Sequence, residues 1–424
     1  MWRTLVHVYQ RWRCLVFASP RHLNLRLQCT TETRARDMLG VWPAFPIVIS
    51  DGSRSMSGVD NIIAALEQRD RVCDITLRNF PGSKMDMIVP AMLGPFPALD
   101  GIIFGSAHVN WTTVVPDSFL GGSAPQLQRL TLLGVPFPAL PTLLSSTRNL
   151  VDLQLWGIPR SGYISPGIMV TCLSAMPSLR NIRFHFDSPQ SFPNHESRDY
   201  PPLARCTFPA LYELIFEGLN EYFEDLVARI DTPMIRELEI TFFHRHFYDF
   251  SQLSLFIGCA KVFKSDHANI ELPKGTAELF SMHEHARLLL EISCEMHLRP
   301  QYLVQVCSSS LLPFSNVKSL AISGVDQLQH PHLAPTAEDF IWLDLLRPFS
   351  AVMVLSIDKN SLTPVADTLK EVVKEGITEI LPEIRWLSIG EHLPSGPILR
   401  AIEKFATTRG LLTRLDNLHR WVSG

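Results

Sequence analysis

Two short stretches decide the fold: Leu127-Gln128-Arg129-Leu130-Thr131-Leu132 and Leu150-Val151-Asp152-Leu153-Gln154-Leu155. Both have leucine at their first, fourth and sixth positions, with a polar residue between the last two leucines. That alternation predicts a short strand with one buried side. The same spacing of apolar residues recurs along most of the chain, beginning at Leu99, Leu179, Leu211, Ile235, Val317, Val352 and Ile384.

Blocks spaced in this way are typical of a leucine-rich repeat, in which each unit is a strand followed by a helix or an irregular return. One unit cannot bury its apolar side alone, so neighbouring units stack into a solenoid. The Asn or Cys that usually follows the third apolar position is missing, and Val135, Ile158, Leu219 and Val325 stand near that place. The sequence therefore predicts an α/β fold: an irregular leucine-rich-repeat solenoid with parallel strands on the concave side and helices or loops outside.

Residues between the blocks predict the returns. Pro97, Pro125, Pro177, Pro209 and Pro233 each lie two residues before a first apolar position, where a proline costs no ladder hydrogen bond. Apolar stripes with helical spacing follow several blocks, starting at Leu219, Val365 and Ile398. The segment 187–207, rich in proline and polar residues, is predicted to be a long surface loop. Residues 268–272 and 288–292 are interpreted as degenerate repeat strands.

Composition limits the class of protein. A hydrophobic fraction of 46% excludes a largely disordered chain, and a net charge of −4 argues against general nucleic-acid binding. The longest uncharged stretch, 161–179, contains proline and glycine and does not predict a membrane span, so we expect no membrane partner. The eight cysteines form no CxxC pair. Reduced thiols in a cytoplasmic or nuclear protein are therefore expected.

The N-terminal residues predict a helix with an apolar stripe that includes Leu5, Val8, Trp12 and Leu15. The stretch Leu5-Val6-His7-Val8-Tyr9-Gln10-Arg11-Trp12-Arg13 resembles the last third of an F-box. More widely, the chain resembles the F-box/leucine-rich-repeat-like proteins of basidiomycete, mushroom-forming fungi. The matching stretches lie in the same order along nearly the whole chain: 11–20, 42–49, 221–233 and 345–349.

The resemblance implies the substrate-receptor subunit of an SCF-type ubiquitin ligase, with a Skp-type adaptor and a cullin as partners and an unknown protein as target. It also implies that the N-terminal part of the F-box is missing before Met1, either because the gene model starts too late or because this paralogue has lost the box. The four residues of the stripe are then the adaptor-binding remnant. The Arg-rich N-terminal segment also resembles a mitochondrial transit peptide. The alternative interpretation of the same residues is the truncated F-box helix.

The expected domains are a remnant of the last F-box helix at 1–20, a linker with first cap elements at 21–70, the solenoid at 71–410 and a tail at 411–424. The alternative to a ligase receptor is an F-box-less interaction scaffold with no role in ubiquitin transfer.

A search for catalytic chemistry finds no phosphate-binding glycine loop and no G-x-S-x-G elbow, so the sequence predicts neither an enzyme nor a cofactor. Three close histidine pairs, His244-x-His246, His283-x-His285 and His330-x-His332, leave a histidine-bound metal enzyme as a third class. No third ligand is evident, so no metal site is predicted.

Strand periodicity also predicts which residues face away from the core. Ten side chains should line the concave face: Arg129, Asp152, Gln154, Trp156, Arg183, His185, Glu213, Glu217, Glu237 and Glu239. Seven of them are the candidates for partner binding: Arg129, Trp156, Arg183 and the four glutamates. Ordinary solvation of an exposed strand face is the alternative. Because like charges on neighbouring strands repel, we expect the glutamates to meet a basic segment of a partner.

Overall fold

The computed structural model describes residues 14, 24–32, 34–41, 44–51, 58–78, 80–105, 113–193, 205–244, 249–263, 265–273, 276–283, 286–293, 299–308, 314–324, 338–389 and 396–411. Backbone contacts divide the chain into two compact units. The first unit comprises Met1–Tyr212 and Arg229–Met234, and the second comprises Glu213–Ala228 and Ile235–Gly424.

The first unit contains a run of parallel strands that pair in chain order. They are β1 (Leu25–Cys29), β2 (Ile47–Asp51), β3 (Val72–Arg78), β4 (Gly101–Gly105), β5 (Arg129–Leu133), β6 (Asp152–Ile158) and β7 (Asn181–Phe186). Equivalent repeat residues pair directly, as Leu130 does with Leu153 and Leu153 with Ile182. A separate parallel pair joins β8 (Cys206–Thr207) to β10 (Ile230–Asp231).

Short helices connect these strands and cover one side of them. They are α1 (Ala35–Val41), α2 (Val59–Leu66), α3 (Gly82–Ile88), α4 (Leu140–Ser145) and α5 (Pro166–Leu173). Each helix from α2 to α5 buries apolar side chains, such as Leu143 and Leu144 of α4. Strands β1 and β2 lie in the segment 21–70, which was expected to be a linker with cap elements.

The second unit holds β9 (Glu213–Gly218), β11 (Glu237–Phe242), β12 (His267–Glu271), β13 (Thr276–His283), β14 (Ala286–Ser293), β15 (Ser319–Ser323), β16 (Val354–Ile357) and β17 (Trp386–Ile389). Their spatial order is β9, β11, β14, β13, β12, β15, β16, β17. All neighbours pair in parallel except β13, which is antiparallel to both β12 and β14. Strands β12–β14 therefore form an antiparallel meander inserted between parallel repeat strands.

The second unit also contains α6 (Asn220–Ala228), α7 (Ser251–Cys259), α8 (Arg299–Ser308), α9 (Glu338–Leu346), α10 (Leu362–Glu375) and α11 (Pro397–Thr408). The three predicted apolar stripes fall on α6, α10 and α11, and most of their residues are buried. Phe216 of β9 packs against Phe223 of α6 with ring centroids 4.7 Å apart. The prediction of an α/β leucine-rich-repeat solenoid is confirmed.

The repeated prolines occupy a recurring turn before the strands. In the turn at Pro97, the N–H of Leu99 donates to the carbonyl of Phe96, and the same bond joins Leu127 to Ala124 around Pro125. Proline suits the second position of such a turn because its φ angle is already set. The residues that open four of these turns, Phe96, Ala124, Met176 and Phe208, are buried and apolar, so each of the four turns also fixes an apolar side chain in the core.

Glycines take the place of the missing Asn or Cys after two of the strands. Gly134 and Gly324 lie two residues past the last apolar repeat position and adopt φ angles of 62° and 78°. This left-handed conformation is costly for other residues, and it turns the chain out of the strand. The left-handed conformation of these two glycines thus ends the strands that precede them.

The segment 187–207 contains structure at both described ends, although a surface loop was expected. Phe192 is buried, and its ring centroid lies 4.3 Å from that of Phe186. Cys206 and Thr207 form β8. Sequence reasoning missed the first feature because one phenylalanine among polar residues and prolines gives no periodic signal.

Candidate functional site

Each unit presents one face of its strands that none of the helices given above covers, called here the open face. In β9 the buried residues Leu214 and Phe216 alternate with the half-buried Glu213, Ile215 and Glu217. The same alternation holds for the repeat strands of the first unit. The ten residues predicted to face away from the core all lie at exposed or half-buried positions.

Arg129 occupies the open face of the first unit in a three-residue ion cluster. Its Nη2 lies 3.0 Å from Asp74 Oδ2 and 2.9 Å from Asp100 Oδ2. The guanidinium passes over Gly101, where a Cβ atom would stand 2.9 Å from Nη2. Burial raises the pKa of Asp74, and the Arg129 charge acts against that rise. Two carboxylates therefore share this cation.

Trp156 lies on β6 among polar neighbours. Its Nε1 donates to Gln154 Oε1 at 3.3 Å, and Gln154 Nε2 donates to the carboxylate of Asp152 at 3.1 Å. The indole ring is 5.6 Å from the His185 ring, and His185 Nδ1 accepts the N–H of Gly157. These bonds hold the half-buried indole in one orientation, as suits an interface anchor.

Arg183 is half-buried on β7 and pairs in register with Gln154. With Arg129 and Trp156, it completes the candidates that the structure places on the open face of the first unit.

The four predicted glutamates lie on the open face of the second unit. Glu213 and Glu237 are direct cross-strand partners, whereas Glu217 pairs with Thr241 and Glu239 with Ile215. Sequence reasoning missed a basic neighbour on β14. Arg287 Nη1 lies 3.5 Å from Glu237 Oε1 and 3.7 Å from Glu239 Oε2. Part of the predicted acidic cluster is therefore balanced within the chain.

Three further carboxylates lie on the inserted meander, and the sequence analysis did not identify them. Glu271 of β12 pairs directly with Glu278 of β13, which pairs directly with Glu291 of β14. Glu291 in turn pairs with Thr241, whose Oγ1 donates to Glu291 Oε2 at 3.3 Å. We call the half-buried residues Glu271, Glu278 and Glu291 the acidic row.

Electrostatic repulsion is evident within the acidic row. Burial raises the pKa of Glu291 above its ordinary value, and the charge of Glu278 raises it further. The hydrogen bond from Thr241 acts in the opposite direction. Like charges that face each other across strands destabilise a sheet, so this row costs folding free energy.

Apolar side chains lie beside the acidic row. Ile215, Leu289 and Phe280 are half-buried on β9, β14 and β13, and Leu289 and Phe280 are direct cross-strand partners. Glu239 of β11 stands in register between Ile215 and Leu289. Arg287 lies over the Phe280 ring, 5.8 Å from its centroid. Met282, one step further along β13, is 57% exposed. We call Ile215, Leu289 and Phe280 the apolar row.

The period of two in β13 and β14 could have placed Glu278, Phe280, Leu289 and Glu291 on the open face. Ala286, Leu288, Leu290 and Ile292 are the buried residues of β14, which places Glu291 on the other face. The pairing of Glu278 with Glu291 depends on the antiparallel register, and no sequence signal fixed it.

The cysteines offer no activated nucleophile at the two most buried positions. Burial raises the pKa of the Cys29 thiol to about 12 and that of Cys307 further above its ordinary value. A thiol must lose its proton to attack, so both are inert at neutral pH.

Several predictions fall outside the described residues. The adaptor-binding remnant, Leu5, Val8, Trp12 and Leu15, is among them, as are His246, His285, His330 and His332. Within the described ranges, no group of three or more His, Cys, Asp or Glu side chains is arranged to hold a metal ion. The helices in those ranges include none that is long and apolar enough to cross a membrane.

Comparison with solved structures finds several chains that are similar to this one. The leucine-rich repeat-containing protein LegL7 from Legionella pneumophila is similar with a TM-score of 0.30 and 10% sequence identity, over 91% of this chain and 98% of that chain. No protein-family model and no curated protein matches this sequence. The fold assignment therefore rests on the repeat geometry described above.

Proposed function

We propose that this chain is a non-enzymatic protein-recognition module. The observation that carries the proposal is the open face of parallel strands, on which half-buried polar and aromatic side chains stand in register. Such a face offers large, ordered contact area for a partner.

We further propose that the module is the substrate receptor of an SCF-type ubiquitin ligase in the cytoplasm or nucleus. The support is the ordered resemblance to basidiomycete F-box/leucine-rich-repeat-like proteins. In this reading the open face holds a target protein while the adaptor and cullin bring the ubiquitin-transfer machinery close. The chain itself then needs no catalytic group, only proximity.

An adaptor-retention experiment tests the receptor role. The 5′ end of the transcript is sequenced first. The chain that the transcript encodes is then immobilised and incubated with purified Skp-type adaptor, and the retained adaptor is measured. Retention that is lost in a Leu5→Asp/Trp12→Asp variant and kept in an Asp60→Asn control would support the receptor. Asp60 is chosen because it lies in the first turn of α2, 45 residues beyond Leu15 in the sequence.

The alternative function is an interaction scaffold without an F-box. A transcript that starts at Met1, together with no adaptor retention, would favour it. Protein recognition by the open face would stand in either case.

A further inference from the structure

We propose that the open face of the inserted meander binds an amphipathic helix of a partner protein that carries a basic edge. This proposal rests on the proposed recognition function and specifies its partner. Two observations carry it: Leu289 and Phe280 of the apolar row are half-buried on the open face of β14 and β13, and the acidic row crosses the same two strands two residues away. Neither row was predicted from the sequence.

The apolar row supplies contact area. Leu289 and Phe280 are core-type side chains, yet they point away from the helices and remain half-buried. Met282 extends the apolar surface, and methionine adapts to partners of varied shape. Burial of these side chains under a partner would remove apolar surface from water, which is the main favourable term in association.

The acidic row determines the charge of the partner. Glu271, Glu278 and Glu291 face one another across strands, and the neighbouring charges raise the pKa of Glu291. Arg287, the basic residue on β14, lies 3.5 Å from Glu237 and 3.7 Å from Glu239. A cationic partner would relieve the repulsion, whereas an acidic partner would increase it.

The spacing of the rows favours a helix. Neighbouring strands are about 4.8 Å apart, and one turn of an α-helix rises about 5.4 Å. Residues one turn apart on a helix lying across the strands would therefore meet successive glutamates. Four strand spacings from β9 to β12 span about 19 Å, which about 13 helical residues cover. Lysines along one edge would face the acidic row while the adjoining apolar stripe covers the apolar row.

The test uses the full chain and a defined probe. The probe is a fluorescein-labelled synthetic peptide of about 16 residues. It has leucines on one helical stripe, lysines along one edge and glutamines elsewhere. A shuffled peptide of the same composition, and one with glutamate in place of lysine, serve as controls. Binding is measured by fluorescence anisotropy at low and physiological salt.

Two matched variants distinguish binding by the acidic row from a general effect of the chain's negative charge. Glu278→Gln/Glu291→Gln removes two carboxylates of the acidic row without changing side-chain size. Glu379→Gln/Glu383→Gln makes the same change in net charge at exposed positions between α10 and β17. We expect the first variant to weaken binding about fivefold to tenfold and to flatten its salt dependence, and the second to bind as the parent does.

A third variant isolates the apolar row. Phe280→Ala should weaken binding and leave the salt dependence unchanged, because it removes contact area and no charge. Thermal unfolding of each variant shows whether it is folded. A probe that does not bind, equal weakening in both glutamine variants, or equal binding of the shuffled or glutamate peptide would overturn the proposal.

The outcome is independent of the adaptor experiment. Adaptor retention without probe binding would overturn this inference and leave the receptor role intact. Probe binding without adaptor retention would support this inference in a scaffold without an F-box.

Discussion

The open face of the first unit and the acidic row of the second unit use the same alternation of side chains and treat charge in opposite ways. In the first unit, Arg129 stands between the carboxylates of Asp74 and Asp100. On the inserted meander, Glu278 stands between two other glutamates. The buried side of the strands is alike in both regions, with Leu130 and Leu153 in one and Leu288 and Leu290 in the other.

This difference shows that the fold constrains only one side of each strand. Core residues fix the strand and its neighbours, whereas the open face can carry either an arginine between two carboxylates or carboxylates in direct cross-strand pairs. A cluster of like charges that destabilises the fold is favoured at a place that meets a partner. We therefore expect core substitutions to have similar effects on stability in the two regions, and charge-removing substitutions on the open face to have effects of opposite sign.

The largest effect should come from the shared core. We expect Leu153→Ala in β6 and Leu290→Ala in β14 each to lower the free energy of unfolding by about 2–5 kcal/mol, since both side chains are buried. Urea unfolding followed by circular dichroism gives the values. A much smaller loss for Leu290→Ala would mean that the inserted meander does not share the packing of the regular strands.

A buried carboxylate with fixed partners should give the next effect. Glu224 of α6 is 5% exposed, and its two carboxylate oxygens accept the N–H groups of Gln252 and Leu253 at 2.7 and 2.9 Å. Glu224→Ala leaves both donors unpaired at the start of α7 and should cost about 1–3 kcal/mol. Glu224→Gln keeps an acceptor and should cost less in the same unfolding measurement. Equal losses would contradict the hydrogen-bonding role.

Removal of the cation in the first unit should destabilise the chain weakly. Arg129→Ala leaves Asp74 and Asp100 facing each other and should cost no more than about 1 kcal/mol, since the arginine is half exposed. The pKa of Asp74, measured by NMR, should rise further because the opposing charge is gone. Arg129→Lys should preserve most of both values. An unchanged pKa would show that the cluster does not act as a unit.

Removal of a carboxylate from the acidic row should raise the free energy of unfolding, whereas removal of Arg129 should lower it. Burial and neighbouring charges raise the pKa of Glu291 in the folded chain, so the folded chain binds the proton more tightly than the unfolded chain does. Its unfavourable contribution is absent below the unfolded pKa near 4.5 and develops as the pH rises through the folded pKa.

Glu291→Gln should therefore stabilise the chain by about 0.2–1 kcal/mol at pH 7, after allowance for solvent screening, and by less at pH 4. Denaturant unfolding at both pH values measures the difference, with Glu379→Gln as the control. Destabilisation at pH 7 would mean that the hydrogen bond from Thr241 outweighs the repulsion.

Much of the fold could be predicted because the repeat signal is local. Leucines at fixed spacing specify β5 and β6, and the stripes of α6, α10 and α11 follow helical periodicity. The place of β13 could not be predicted, because a strand that runs antiparallel between β12 and β14 depends on contacts distant in sequence. The candidate adaptor-binding residues between Leu5 and Leu15 lie outside the described residues, so their role stays a prediction.

The candidate site was predictable only in part. The alternation within β9 and β11 placed Glu213, Glu217, Glu237 and Glu239 on the open face. The pairing of Arg287 with Glu237 joins residues 50 positions apart, and only the strand register brings them together. For the same reason the acidic row could not be recognised until Glu271, Glu278 and Glu291 were seen in one line.

The most direct test of the central claim is carboxyl footprinting by mass spectrometry, with the full chain labelled in the presence and absence of the basic helical probe. We predict that the probe protects Glu278 and Glu291 from labelling and leaves the labelling of Asp100 and Asp152 unchanged. Protection of Asp100 and Asp152 instead, or equal protection of all four, would contradict the assignment of partner binding to the acidic row.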